Sequence, residues 1–320
     1  MPRFRNFEPK GVIPACLLPF HDDLGIDERG YRKHLRDVVG IEGIRAITVN
    51  AHASEAASCS DEEQERVLAL TVDEVGDRIP VVNGIYADGS HYGAKLAKMA
   101  ERGGASCLLV FPPNPMATGG QLRPEMALAH FRTIADATDL PIILFQYPMA
   151  GGLGYPLDTL LRLVEEVPQI RAIKDWCNDP MLHERQVRTL QSLKHPVTVL
   201  STHSSWLMSS LIMGCEGLLS GAGSVIADLQ VALFKAVQAK DLARAQAIND
   251  RIYPMVQAFY APPFLDMHNR MKEALVLLGR MDRAVVRPPL MKLGPVEIER
   301  LKQAIADARL GAEGALDLAA

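Results

Sequence analysis

Apolar runs of strand length recur along the chain at residues 12–18, 44–49, 80–85, 106–111, 141–146, 170–174, 196–200 and 217–220. Between them lie segments whose apolar positions return every three or four residues. One is 61–75, where Val67, Leu68, Leu70, Val72 and Val75 form a stripe, and 91–102, 124–138, 156–166 and 183–193 read alike. Eight strand candidates on a repeat of roughly thirty residues, each followed by a helix, predict an α/β chain folded as a (β/α)8 TIM barrel rather than a doubly wound sheet. Past Val225 the pattern turns to helices alone, at 229–239, 242–258, 268–278 and 295–310. The chain therefore divides into a barrel over 1–240 and a C-terminal helical subdomain over 241–320, with the small, weakly patterned residues 311–320 expected to fray.

Composition narrows the function more than the fold. With 320 residues, 48% hydrophobic and 22% charged, the chain has ample material for a large core. Its formal charge of -4 comes from interspersed acids and bases, so no basic block points to nucleic acid or an anionic membrane. The expected partner is a small molecule. Cys16, Cys59, Cys107, Cys177 and Cys215 are isolated in or beside apolar segments and read as reduced core residues of a cytoplasmic protein. The first residues lack the apolar stretch of a signal peptide, and no window has the length and apolarity of a membrane span.

In a barrel of this kind, chemistry gathers at the C-terminal ends of the strands. Those ends carry Pro19 and Phe20, then Asn50-Ala51-His52-Ala53-Ser54-Glu55, Tyr86, Pro112-Pro113-Asn114-Pro115 and Phe145-Gln146-Tyr147-Pro148. Lys174 follows, then Thr202-His203-Ser204 and Ser220-Gly221-Ala222-Gly223. A lysine closing an apolar run among aromatic and polar groups has a mechanism available, because desolvation lowers an amine's pKa and the neutral amine is a nucleophile.

The order of these segments resembles the dihydrodipicolinate synthase and N-acetylneuraminate lyase superfamily. The likeness rests on Gly11-Val12-Ile13-Pro14-Ala15 with Pro19-Phe20, on Ser54-Glu55, on Gly84-Ile85, and on Leu108-Leu109-Val110-Phe111-Pro112-Pro113. Ala172-Ile173-Lys174-Asp175, Gly214-Cys215-Glu216-Gly217-Leu218-Leu219-Ser220, Met271-Lys272-Glu273-Ala274-Leu275 and Pro288-Pro289-Leu290 extend it over nearly the whole chain. The resemblance implies a class I aldolase-type lyase in which Lys174 forms a Schiff base with a 2-oxo acid such as pyruvate. It implies no cofactor, and a homo-oligomer, dimer or tetramer.

Departures from the family pattern fall around the lysine. Where the family carries a catalytic tyrosine in Tyr-Asn-x-Pro, this chain has Phe145, which has no hydroxyl. Tyr147, two residues on, faces the same way if the strand continues; it either reaches the site or packs beneath the loop fixed by Pro148. The Gly-Thr-Thr-Gly-Glu loop of many members becomes Ala51-His52-Ala53-Ser54-Glu55. His52 is a candidate base or carboxylate ligand, against a role in shaping the loop. Ser54 and the amides near Ala53 are candidates for cradling a carboxylate, and Glu55 for tying the loop. His203 and Trp176 are candidate substrate contacts, against surface and packing roles, and Gly221 a point of close backbone approach. No metal-ligand spacing is evident.

Two further losses bear on the substrate. The arginine that grips the aldehyde's carboxylate in lysine-pathway synthases aligns near Ala150, and the tyrosine pair after Pro-Pro is Asn114-Pro115. The expected activity is therefore aldol or retro-aldol chemistry on another 2-oxo acid, with an apolar or aromatic portion beside Phe145, Trp176 and Met116. A dehydratase of a sugar-derived 3-deoxy-2-oxo acid and a non-catalytic oxo-acid-binding protein are the alternatives.

Overall fold

In a computed structural model describing residue 4 and residues 7–311, strands and helices alternate from β1 (Gly11–Pro14), α1 (Glu28–Val39), β2 (Ile47–Val49) and α2 (Asp61–Val75) to β3 (Val81–Ile85), α3 (Ser90–Arg102), β4 (Cys107–Val110) and α4 (Pro124–Ala135). The series continues through β5 (Ile142–Gln146), α5 (Leu157–Glu166), β6 (Ile170–Asp175), α6 (Pro180–Leu190), β7 (Thr198–Ser201), α7 (Leu207–Ile212), β8 (Gly217–Ser220) and α8 (Gly223–Gln238). Helices α9 (Leu242–Phe259), α10 (Met267–Leu277) and α11 (Pro295–Asp307) follow. The fraying expected of the C-terminus concerns residues that, from 312 on, lie outside those described.

The sheet has eight strands in the order β1-β8-β7-β6-β5-β4-β3-β2. Every described strand pair is parallel, and single bridges Val12–Ile44 and Ala15–Thr48 bring β2 back to β1, nearly closing the barrel. Strands covered on both faces need no polar alternation, which is why they read as continuous apolar runs. Two runs overshoot their strands for that reason. Residues 12–18 stay buried to Leu18 while the ladder stops at Pro14, and Ile44 makes only a bridge before β2 starts at Ile47.

The helices after the barrel do not form a core of their own. Ile248, Met255 and Phe259 of α9 and Met271 and Leu275 of α10 join the same hydrophobic cluster as the strands. Helix α10 also reaches the barrel mouth. Its Lys272, with a side chain 0% exposed, pairs with Glu55 at 2.5 Å, donates to the Val285 carbonyl at 2.8 Å and stands 4.4 Å from the centre of the Phe20 ring. The Arg287 amide donates to the other Glu55 oxygen at 3.0 Å.

These contacts hold a strained loop. Asn50 and Glu55 both have φ of 51°, a left-handed conformation unfavourable for side chains with a Cβ. Asn50 is fixed by donating to the Gln64 carbonyl at 2.9 Å and to Asn83 at 2.8 Å, and Glu55 by Lys272 and Arg287. Beside them β3 comes so close that a Cβ on Gly84 would lie 2.0 Å from the Asn50 carbonyl oxygen, so only glycine fits.

Removing one partner of a buried pair strands the other's charge, which costs about 3–5 kcal/mol. Lys272→Ala is expected to lower unfolding stability by that order in urea titration. The double variant Glu55→Gln/Lys272→Met should recover most of it. A loss below about 1 kcal/mol in the single variant would show that the pair does not hold the loop.

Candidate active site

Lys174 lies next to the last residue of β6, in register with Phe145 of β5 and Leu200 of β7. Its side chain points into a cavity of about 280 Å³ at the C-terminal mouth of the barrel. The residue is 6% exposed, and its Nζ sits 4.0 Å from the centre of the Phe145 ring. Among the described residues, no Asp, Glu or Arg lines this cavity. Burial thus acts on the amine with no counter-charge beside it and brings its pKa down to about 7.

His52 lines the cavity and meets Tyr147, which is not among its lining residues. His52 opens the short 3-10 turn His52–Ser54 after β2. Its ring packs against Phe111 at 4.7 Å, Tyr86 at 5.4 Å and Phe145 at 6.1 Å between centres. Its Nε2 is 3.2 Å from the Tyr147 hydroxyl, which donates when that nitrogen carries the lone pair. Burial first, and then the charge of Lys174, hold His52 at about 3, so the ring is neutral at physiological pH. Burial pushes the Tyr147 phenol upward. Tyr147 stacks at 4.5 Å on Phe145, on the side that strand alternation predicts.

Other expected residues divide. Ala53, His203, Trp176 and Gly221 all line the cavity. Ser54 does not: its hydroxyl donates to the Cys16 carbonyl at 2.9 Å, because the tight turn followed by left-handed Glu55 rolls Ser54 into the core. Met116 is buried in the turn Asn114–Thr118 and is absent from the cavity wall. Glu55 ties the loop, through a lysine ammonium as well as a backbone amide. At Gly221 the close neighbour is His268, whose Nε2 would lie 3.2 Å from an added Cβ.

His268 belongs to α10, and with Tyr260, Phe264 and Met267 it closes the cavity from the C-terminal region. In the sequence His268 only opens the helix expected over 268–278, and Tyr260, Phe264 and Met267 fall between it and the helix expected over 242–258. Burial and then the charges of His52, Lys174 and Lys272 keep His268 well below the ordinary imidazole range.

Behind the lysine, a polar network crosses from β6 to α6. His183 Nδ1 lies 2.6 Å from Asp175 Oδ2, its Nε2 lies 2.8 Å from Ser210, and the Cys177 amide donates to Asp175 Oδ1 at 2.8 Å. Burial alone would raise Asp175, but His183 and His203 overturn it and hold the carboxyl low. Burial likewise opposes protonation of His183, yet its bond to Asp175 leads a net rise to about 10. The pair is therefore carboxylate and imidazolium. His203 stacks on Trp206 at 4.0 Å and sits 3.8 Å from Asp175, too far for a hydrogen bond. Sequence spacing showed no ligand set, yet Asp175, Cys177, His183 and His203 present ligand atoms all within 4.8 Å of one another. They are the residues here able to hold a metal; in this arrangement Asp175 and His183 are committed to each other.

The model of the Dihydrodipicolinate synthetase family matches residues 8–308. The 4-hydroxy-tetrahydrodipicolinate synthase of Methanopyrus kandleri is 28% identical over 97% of this chain and 99% of its own. That of Kineococcus radiotolerans is 31% identical over 93% of each. Among solved structures, the 4-hydroxy-tetrahydrodipicolinate synthase of Methylacidiphilum fumariolicum superposes with a TM-score of 0.84 at 25% identity, covering 94% of this chain and 96% of that one. YagE of E. coli K12, a dihydrodipicolinic acid synthase family protein solved with pyruvate, superposes at 0.86 with 23% identity, covering 94% and 99%. The chain belongs to the dihydrodipicolinate synthetase family and is a lyase with the class I aldolase chemistry of that family.

Proposed function

We propose that Lys174 is the Schiff-base residue and that the substrate is a small 2-oxo acid of the pyruvate type, made and broken by aldol and retro-aldol steps. The observation that carries this reading is a buried amine at the barrel mouth, titrating near 7 with no carboxylate beside it. Its neutral form adds to the oxo carbon, and loss of water gives an iminium. Proton loss from the adjacent carbon then gives an enamine that attacks an aldehyde. The amides of His52 and Ala53, at the open end of the His52–Ser54 turn, receive the carboxylate. Tyr147, hydrogen-bonded to neutral His52, moves the proton that the family tyrosine moves elsewhere.

Relatives named for 4-hydroxy-tetrahydrodipicolinate synthesis share the family. In this chain, however, no guanidinium lines the cavity to receive a second carboxylate, so the aldehyde partner differs from the one those enzymes are named for. We place the protein in the cytoplasm as a dimer or tetramer, with residues 241–320 as a subdomain of the barrel. The free cysteines suit a reducing compartment, and among the described residues no helix is long and apolar enough to cross a membrane.

Borohydride reduction in the presence of pyruvate should attach a reduced adduct to the Lys174 peptide, seen by mass analysis, and none in Lys174→Ala. An unlabelled peptide with every oxo acid tried would sink the proposal. Tyr147→Phe should keep the adduct while slowing aldol turnover roughly 10²- to 10⁴-fold.

The titration has a sign that can be tested independently of turnover. Unfolded lysine keeps its proton to about 10.5, whereas folded Lys174 releases it near 7. The unfolded state therefore binds more protons across that window, and stability rises with pH through it. Lys174→Met should be the more stable protein by thermal unfolding at pH 7, by an order of several kcal/mol, with the gap closing as pH approaches 10.5. Imine formation should quicken with pH up to about 7 and then level.

A further inference from the structure

Only 6% of the residues are aromatic and two are tryptophan, yet both tryptophans line this one cavity. The rings stand in sequence. From the Lys174 amine, 4.0 Å over Phe145, the line passes to Tyr147 at 4.5 Å, Trp176 at 5.4 Å, Phe264 at 5.2 Å and Tyr260 at 5.6 Å. Trp176 and Phe264 lie nearly parallel, at 11°. The line starts at the buried amine and reaches solvent at Phe264, which is 37% exposed.

The chemistry of the wall points the same way. Lys174 is its sole lysine, and Asp, Glu and Arg are absent from it. Ser204 donates to the Tyr260 hydroxyl at 3.1 Å and shares a hydrogen bond with Ser220 at 3.0 Å, which commits its hydroxyl within the wall; the polar groups left, among them Asn178, Thr202 and Ser205, are uncharged. A polyol chain needs paired donors and acceptors along its length, whereas a flat apolar group needs ring faces. About 280 Å³ is at the small end of ligand cavities and has room for one ring beyond the oxo-acid portion.

Resting on the Schiff-base reading of Lys174, we propose that the aldehyde partner is an uncharged aryl aldehyde whose ring lies along Trp176 and Phe264. The substrate class in the cleavage direction is a 4-aryl-4-hydroxy-2-oxo acid. Iminium formation at Lys174 releases one water. The C4 hydroxyl gives its proton to the Tyr147–His52 pair as the C3–C4 bond breaks, releasing the aryl aldehyde and leaving the enamine. C3 regains that proton, and one water hydrolyses the iminium to pyruvate and free Lys174, so the net reaction consumes neither water nor any oxidant.

The test measures condensation of pyruvate with benzaldehyde, acetaldehyde, glyceraldehyde and succinic semialdehyde, alongside borohydride trapping with pyruvate alone. Benzaldehyde should have the highest kcat/KM. Phe264→Ala should cut the benzaldehyde value about tenfold, mainly through KM, and change that for acetaldehyde, which is too short to reach the rim, much less. Trapping with glyceraldehyde or succinic semialdehyde preferred overturns the aryl assignment alone, as does a benzaldehyde-to-acetaldehyde ratio unmoved by Phe264→Ala. Absence of trapping overturns the Schiff-base reading and this one with it.

Discussion

An amine taken out of water without a counter-ion sets the terms for this molecule. A lysine beside a carboxylate stays charged and inert, and a lysine in solvent does the same. Lys174 is buried with no carboxylate among the described residues that line its cavity, and its amine stands against the face of Phe145. A ring face offers a cation some compensation, but far less than a carboxylate or hydration. The nearest acid in sequence, Asp175, lies across the strand and is already matched by His183. That buried pair behind the barrel wall is what allows an aspartate to follow the lysine without quenching it.

The replacement of a hydroxylated ring by Phe145 follows the same logic. Phenylalanine deepens the desolvation of the amine and gives up the proton-moving hydroxyl, a part that the proposal above gives to the hydrogen-bonded Tyr147–His52 pair. His52 is suited to that place because burial and the nearby amine keep it neutral. Its position in turn depends on the loop between two left-handed residues, pinned at one end by the Asn50 amide and at the other by Glu55.

What the sequence revealed and what it hid divide by distance along the chain. Strands announce themselves because parallel strands are apolar throughout, and Lys174 stands out as the polar residue ending such a run. Where apolarity reports burial without pairing, as at Cys16–Leu18 in the first run, strand limits overshoot. The family loop pattern gives no sign that Ser54 turns inward, which the 3-10 turn and left-handed Glu55 bring about, and a turn after β4 carries Met116 under the surface. His268, Tyr260 and Phe264 were invisible as site residues. His268 lies in the first turn of α10, Tyr260 just past α9 and Phe264 in a short 3-10 turn; none carries a local signature, and they reach the cavity through the packing of α9 and α10 on the barrel. The Asp175–His183 pair was hidden likewise, since strand and helix periodicities meet there.

Glu55 and Lys272 are 217 residues apart in the chain and 2.5 Å apart in space. Contacts of such separation form late, because the loop they close must be ordered at an entropic cost before they compensate it. During synthesis the barrel strands emerge well before α10, so the segment bearing His52 spends that interval without its anchor, and the cavity lacks its C-terminal wall. Enclosure of the Lys174 amine, and with it the burial that lowers its pKa, is thereby tied to completion of the chain.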